Sequence, residues 1–320
     1  MEWLLVGSGL VVLLGAGDCL VRGAVNLALR LGVAPLIVGL TIVGFGTSAP
    51  ELLVSINAAL DGVPGIAMGN VVGSNTANIL LILGLPAVIV TLHTSTYDTK
   101  KPYVIMIAAS LLFIALASFG EFGRLSGLVL LSALATFMIY TIKNTLQERK
   151  ATAKINAEKA EFGDLPEGAD PSMAKWKIAI FLLIGLLGLP FGAELLVANA
   201  TVIAKTHGVS DTVIGLTLVA LGTSLPELAT TLMSALRRQA DVALGNVIGS
   251  NIFNLLGILG IASLVAPIPV DAQFLRFDLW VMLGASLLLV PFVFFKKDIT
   301  RRWGLGLTAL YLAYMAFILI

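Results

Sequence analysis

The sequence predicts an all-α, polytopic membrane fold: ten transmembrane helices in two inverted-topology five-helix repeats. Three observations carry that prediction. The 320-residue chain is 58% hydrophobic and only 12% charged, with mean hydropathy +0.98, whereas soluble proteins carry roughly 25% charged residues. Apolar runs recur from end to end, each of the ~18 or more residues that can cross a ~30 Å hydrocarbon core. The chain also repeats itself. A transmembrane barrel is excluded, because its strands would alternate in polarity over ~10 residues and these runs do not.

Breaks in hydropathy place the spans at 3–28, 34–60, 66–90, 102–119, 124–146, 175–202, 211–236, 242–266, 277–295 and 302–319. The first, MEWLLVGSGLVVLLGAG, lacks the basic leader region of a secretory signal and reads as a retained helix. Between the fifth and sixth spans lies a long polar segment, QERKATAKINAEKAEFGDLPEGADPSMAK, too short and too polar for a folded domain. The expected organisation is a first five-helix repeat at 1–146, a cytoplasmic linker at 147–174 and a second repeat at 175–320.

Sliding the chain by 176 residues superposes GLTIVGFGTSAPEL on GLTLVALGTSLPEL, and GNVVGSNTANILLILG on GNVIGSNIFNLLGILG, without a gap. About 24 of 46 positions are identical between 39–84 and 215–260, a sign of duplicated units. The same offset lays Asp18 over Glu194, so the first span of each half belongs to the repeat. Five spans separate the two starts, and five is odd. The second copy therefore enters the membrane from the opposite side, the arrangement of many secondary transporters, whose sites lie near the midplane between the copies.

Lys and Arg set the orientation. Loops on one side hold Arg124, Lys205 and Arg276, three in all. The other side collects sixteen, among them Arg30, Lys100, Lys101, Arg237, Arg238, Lys296 and Lys297. The sixteen mark the cytoplasmic face and leave both termini outside. A basic linker there meets anionic headgroups in the ordinary way.

Several classes are excluded. A formal net charge of +1 gives no sign of a nucleic-acid partner. The single cysteine, Cys19, cannot form an internal disulfide, and His93 and His207 are too few for a zinc or iron cluster. An intramembrane hydrolase would need a serine with a basic partner or paired aspartates, which the spans lack. An ion channel would use a similar oxygen ring but seldom shows an inverted duplication.

The informative residues are the ones that membrane depth penalises. Glu51 and Glu227 fall near the middle of their spans, where an acidic side chain costs roughly 2.5–3.5 kcal/mol even on the gentler insertion scale. Both repeats make this choice with the same neighbours. Thr47 stands four residues before Glu51 and shares its helix face, with Ser48 beside it. Pro50 lacks an N–H and disturbs the helix, freeing the Gly46 carbonyl at a depth where free carbonyls line cavities or meet ligands. Gly222, Thr223, Ser224, Pro226 and Glu227 repeat the pattern.

The third and eighth spans add Gly69 and Gly73, and Gly245 and Gly249, whose small-xxx-small spacing lets helices approach closely. Packing does not explain Ser74 and Asn78, or Ser250 and Asn254, which point hydroxyls and amides one way within apolar helices. Asn70, Asn75, Asn246 and Asn251 either join them or cap and bridge helices. Every candidate ligand is an oxygen, which suits Ca²⁺ or Na⁺ better than copper or zinc. Mg²⁺ fits less well, because it dehydrates reluctantly and wants strict octahedral geometry. Two negative charges balance one Ca²⁺, or two Na⁺ with a third in excess. No cofactor is called for. Asp18 and Glu194 read as helix-capping or packing residues, and His93 and His207 as solvated loop residues.

With GTSAPE and GTSLPE each followed by GNVVGSN or GNVIGSN, the chain resembles the calcium/cation antiporter superfamily, and within it the prokaryotic sodium/calcium exchangers. The resemblance covers nearly the whole chain, and it implies ten spans and a functional monomer in a prokaryotic plasma membrane. It further implies ion sites between the second, third, seventh and eighth helices. Glu51 and Glu227 would be shared by Ca²⁺ and Na⁺, and Thr47 and Thr223 would complete the Ca²⁺ site. Ser48, Ser74 and the Gly44 backbone would hold Na⁺ on one side. Ser224, Ser250 and the Ala220 backbone would do so on the other, with Asn78 and Asn254 flanking the centre. The first and sixth helices would slide to alternate access. Some relatives, including potassium-dependent ones, carry aspartate where Asn254 stands, so this cage has one carboxylate fewer. The calcium/proton branch, with an acidic residue where Gly73 and Gly249 stand, resembles the chain less. The expected activity is Na⁺/Ca²⁺ antiport, with Ca²⁺/H⁺ antiport on the same glutamates as the alternative.

Overall fold

The computed structural model describes residues 1–96, 98–156, 170–209, 218 and 220–319. Residues 157–169 of the expected linker and the first part of the expected seventh span, 211–217 and 219, lie outside the described residues. What is described is almost entirely helical. Lipid offers backbone groups no hydrogen-bond partners, so a chain this apolar must satisfy them within its own helices.

α1 (Glu2–Leu31) ends at Gly32, whose φ of 64° turns the chain out of the helix, with the Val33 N–H closing back on the Ala28 carbonyl. α2 (Pro35–Thr47) and α3 (Ala49–Leu60) are one apolar run bent by 42° at Ser48. α4 (Pro64–Ile89), α5 (Lys100–Ala117) and α6 (Arg124–Asn156) complete the first half. α7 (Lys175–Thr206) carries Pro190 inside it. A short turn, Ala220–Gly222, precedes α8 (Leu225–Leu236). α9 (Ala240–Val265), α10 (Phe274–Phe294) and α11 (Arg301–Leu319) follow.

Seven of these helices are long and apolar enough to cross a membrane, and the bent α2–α3 pair makes eight. The fold is thus a multi-span helical membrane protein; the expected count of ten is not reached among the described residues.

Burial sorts the helices into a centre and a rim. The most apolar stretches of α4 and α9 are 72% and 83% buried, against 33% for α1 and 22% for α7. α4 and α9 form the centre with α3 and α8. The rim helices α1 and α7 make the most extensive helix–helix contact among the described residues. At Gly185 of α7 a Cβ would stand 2.5 Å from the Leu20 Cβ of α1, so only glycine permits that approach. α9 meets α2 just as closely, because a Cβ on Gly249 would lie 2.3 Å from the Leu40 carbonyl oxygen.

Two short backbone pairings join loops to one another. Leu92 bridges Ile299, and both belong to loops placed on the basic side. Glu121–Phe122 pairs antiparallel with Ile268–Pro269, both in loops placed on the other.

Candidate functional site: a buried oxygen cage

The helical disturbance expected at Pro50 is a full break. Ser48 leaves the helical path (φ −83°, ψ 9°) and a new helix starts at Ala49, with Pro50 in its first turn. Proline is well placed there, since the N–H it lacks would have no intrahelical partner. The restart puts Glu51 in the first turn of α3, where free N–H groups and the helix dipole favour an anion. In the second half Ser224 sits at the same break (φ −91°, ψ 3°), with Pro226 and Glu227 opening α8. Each glutamate is therefore supported by a helix N-terminus at membrane depth, and each is 1% exposed.

The two breaks interlock. Ser48 Oγ donates to Glu227 Oε1 at 2.8 Å, and Ser224 Oγ donates to Glu51 Oε1 at 3.3 Å. Both carboxyl groups thus point toward the junction between the halves and not toward the acyl chains. Ser250 Oγ donates to the Gly44 carbonyl at 3.0 Å, and Thr47 Oγ1 lies 3.3 Å from the same oxygen. Asn254 Nδ2 donates to Ser74 Oγ at 3.0 Å, and Asn78 Nδ2 to Asn251 Oδ1 at 2.9 Å. Glu51, Glu227, Thr47, Ser48, Ser74, Asn78, Ser224, Ser250 and Asn254 are all buried. Thr223 lies half-buried in the turn after Ala220–Gly222.

Asn78 and Asn254 occupy matching positions in a second sense. Each opens a widened turn, Asn78–Ile82 and Asn254–Ile258. In the first of these the Asn78 carbonyl accepts from the Leu83 N–H, five residues on, at 3.2 Å. Such widened turns lack the regular spacing of the α-helix and are frequent at functional sites.

Several oxygens of this cluster are left unsatisfied. Glu51 Oε2, Glu227 Oε2, Asn78 Oδ1 and Asn254 Oδ1 are buried without a hydrogen-bond partner among the described residues. A buried orphan of this kind costs roughly 1–3 kcal/mol, more when charged. Two carboxyl and two amide oxygens, paired by the 176-residue offset, are thus left without a partner in one cluster. The donor set is all hard oxygen and suits a cation such as Ca²⁺ or Na⁺.

Sequence reasoning left several contacts unseen. Asn70 Nδ2 donates to the Glu51 carbonyl (3.0 Å) and to Ser55 Oγ (2.9 Å). Asn246 Nδ2 makes the matching contacts to the Glu227 carbonyl (3.4 Å) and Thr231 Oγ1 (3.0 Å). These asparagines bridge helices, one of the two roles open to them; Ser55 and Thr231 gave no signal beyond polarity in an apolar span. Asn75 bonds back to Val71 of its own helix. Asp18 forms ion pairs with Arg22 and with Arg237 at the end of α8, a partner its sequence neighbourhood does not announce. Glu194 and His207 are exposed. His93 is exposed too, yet it pairs with Asp298.

Comparison with known proteins now decides the family. The pattern of the sodium/calcium exchanger protein family matches residues 1–143 and 177–320, almost all of both apolar halves. The chain belongs to the sodium/calcium exchanger family. This exchanger is 38% identical over 285 residues to the putative antiporter CaxA of Alkalimonas amylolytica, covering 88% of this chain and 86% of the relative. It is 34% identical over 341 residues to the sodium/calcium exchanger MaX1 of Methanosarcina acetivorans, covering 98% and 97%. Among solved structures it matches the sodium-calcium exchanger NCX_Mj soaked with Na⁺ and Sr²⁺. There the TM-score is 0.82 at 33% identity, over 98% of this chain and 97% of the other. The chain is therefore a multi-span membrane exchanger of a family with prokaryotic members, a transporter and not an enzyme.

Proposed function

We propose that the chain exchanges Na⁺ for Ca²⁺ across a prokaryotic plasma membrane by alternating access, with the ions held between Glu51 and Glu227. The observation that carries this is the set of four orphaned acceptor oxygens, on Glu51, Glu227, Asn78 and Asn254, at the junction of the two halves. Two carboxylates neutralise one Ca²⁺. They also admit Na⁺ at the same oxygens, so the two cargoes compete. An empty, doubly negative cage is expensive to carry through a low-dielectric interior, and this enforces exchange in place of a one-way leak. Thr47 and Thr223 would complete the Ca²⁺ site. Ser48, Ser74 and the Gly44 carbonyl would serve Na⁺ on one side, and Ser224, Ser250 and the Ala220 carbonyl on the other.

In this proposal residues 1–146 and 175–320 are the inverted repeats, joined by a cytoplasmic linker at 147–174. Both termini face outward, and a single chain among lipids suffices. The reciprocal serine–glutamate bonds and the pairing of same-side loops support that arrangement. The test is ⁴⁵Ca²⁺ uptake into inside-out vesicles. Uptake driven by an outward-directed Na⁺ gradient and surviving a protonophore supports the proposal. Dependence on a pH gradient alone would replace it with Ca²⁺/H⁺ exchange.

A further inference from the structure

We propose that Asn246 is a positioning residue that makes the Thr47 hydroxyl an acceptor-only ligand of the cage. The inference rests on the proposed role of Thr47 at the Ca²⁺ site and adds the residue that sets it.

Asn246 lies in α9 with none of its surface exposed, and its side-chain amide reaches three residues on two other helices. Its nitrogen lies 3.4 Å from the Glu227 carbonyl oxygen and 3.0 Å from Thr231 Oγ1, both on α8. Its oxygen lies 3.2 Å from Thr47 Oγ1 on α2, in the other half of the molecule.

Donor and acceptor chemistry fixes the direction of each bond. A backbone carbonyl has no proton to give, so the amide face toward Glu227 must be the NH₂. The opposite face, toward Thr47, is then the amide oxygen, which likewise has no proton. Thr47 must therefore donate if that bond is made. Its other near neighbours, the Gly44 carbonyl at 3.3 Å and the Glu227 carboxyl group, are both oxygens that the proposed cage offers to its ions. Of these three acceptors only the Asn246 oxygen stands outside the proposed ion ligands, so the bond to it is the one that turns the single hydroxyl proton of Thr47 away from the cage. The oxygen presents only lone pairs to whatever else approaches, as a cation ligand must. Were that proton free to turn into the cage, the hydroxyl would oppose a cation.

The same amide ties the first turn of α8 to α9, so it also holds the backbone that carries Glu227. Asn70 performs that tie in the first half through the Glu51 carbonyl and Ser55. The tie recurs at the 176-residue offset and stays on one carbonyl and one hydroxyl each time. That regularity separates it from incidental packing.

The experiment uses the full-length protein in liposomes, with Na⁺-gradient-driven ⁴⁵Ca²⁺ uptake fitted for KM and maximal rate. The proteins compared are the wild type, T47V, N246A, N246S and the double variant T47V/N246A, with E227Q as the control for the cage. Losing one oriented ligand should raise the KM for Ca²⁺ roughly tenfold, with a smaller change in maximal rate. The double variant should be no worse than the poorer single, because both changes remove the same ligand. Serine is too short to span the three partners, so N246S should behave as N246A and is read in its place if alanine prevents folding. An unchanged KM in N246A or N246S, or effects that multiply in the double variant, overturns the inference. E227Q keeps the two outcomes apart: its survival would sink the cage itself, whereas its loss beside a normal N246A sinks only the role given to Asn246.

Discussion

Ser48 donates a 2.8 Å hydrogen bond to Glu227, a residue 179 positions away in the chain. The counterpart bond, from Ser224 to Glu51, runs the other way at 3.3 Å. Each half thus supplies the hydroxyl that orients the other half's carboxylate. Neither half can build the cage alone, and duplication followed by inversion is a direct route to such reciprocity.

Replacing either carboxylate by its uncharged isostere separates charge from shape. Glu51→Gln and Glu227→Gln keep an acceptor oxygen for the crossing serine but remove the charge proposed to hold a cation. Exchange should fall by about a hundredfold or more, since a buried charge that binds the ion contributes several kcal/mol. The ion-free variants should melt no lower than the wild type, because a carboxylate at this depth costs roughly 2.5–3.5 kcal/mol. Thermal melts with and without Ca²⁺ check both halves of the claim. Full transport by both variants would refute the cage.

Asp18 and Arg237 make an asymmetric ion pair, because Asp18 has a second partner in Arg22 while Arg237, among the described residues, pairs with Asp18. Their side chains are about one-fifth exposed, at 21% and 19%, so solvent screens part of the interaction. Asp18→Asn strands Arg237 in a poorly hydrated place, whereas Arg237→Gln leaves Asp18 with Arg22. The aspartate change should therefore cost more, about 1–3 kcal/mol against about 1 or less. Melting temperatures of the two variants in one detergent give the order, and the reverse order would show that the pair does not link α1 to α8 in this way.

The sequence made the buried polar cluster plain because lipid leaves few alternatives. A glutamate, a proline and two hydroxyls inside an apolar run must face something other than hydrocarbon, and the 176-residue offset doubled the signal. The same physics hid other features. Asp18 looked like a helix residue with a packing role, since nothing local points to a partner 219 positions on. The widened turns at Asn78 and Asn254 depend on how α4 and α9 pack, which no propensity encodes. The disturbance at Pro50 was legible, but not that the helix stops and restarts to give Glu51 a helix N-terminus. The role of Asn246 depends on which way an amide faces, and that is set only once three helices meet.

Outside the spans, Asp298 anchors one loop to another. It accepts the Ser95 N–H at 3.0 Å and pairs with His93 at 2.9 Å. Partial burial works against its charge, but the bonds from Ser95 and His93 outweigh it and hold the carboxyl below the usual aspartate range. A lowered folded-state pKa means the stabilisation is present above the unfolded value and is lost as pH falls through the folded one. Asp298→Asn should therefore lower the melting temperature at neutral pH, with the difference closing in acid, below about pH 4. A difference that stays constant down to pH 3 would show that the charge is not what matters.

Gly249 sets how closely α9 can approach α2, and its substitution tests whether that seam positions the cage. A Cβ there would meet the Leu40 carbonyl oxygen at 2.3 Å and its Cα at 2.8 Å, both backbone atoms that cannot rotate away. Gly249→Ala must push the two helices apart, and overpacking of this kind costs about 1–3 kcal/mol. The displaced pair bears directly on the site, because Ser250 of α9 donates to the Gly44 carbonyl of α2 at 3.0 Å. Separation should weaken that bond and loosen the cage on the side proposed for Na⁺. The variant should thus melt at a lower temperature and also require more Na⁺ to drive half-maximal exchange. Lower stability with an unchanged Na⁺ requirement would confine Gly249 to packing and detach the seam from ion binding.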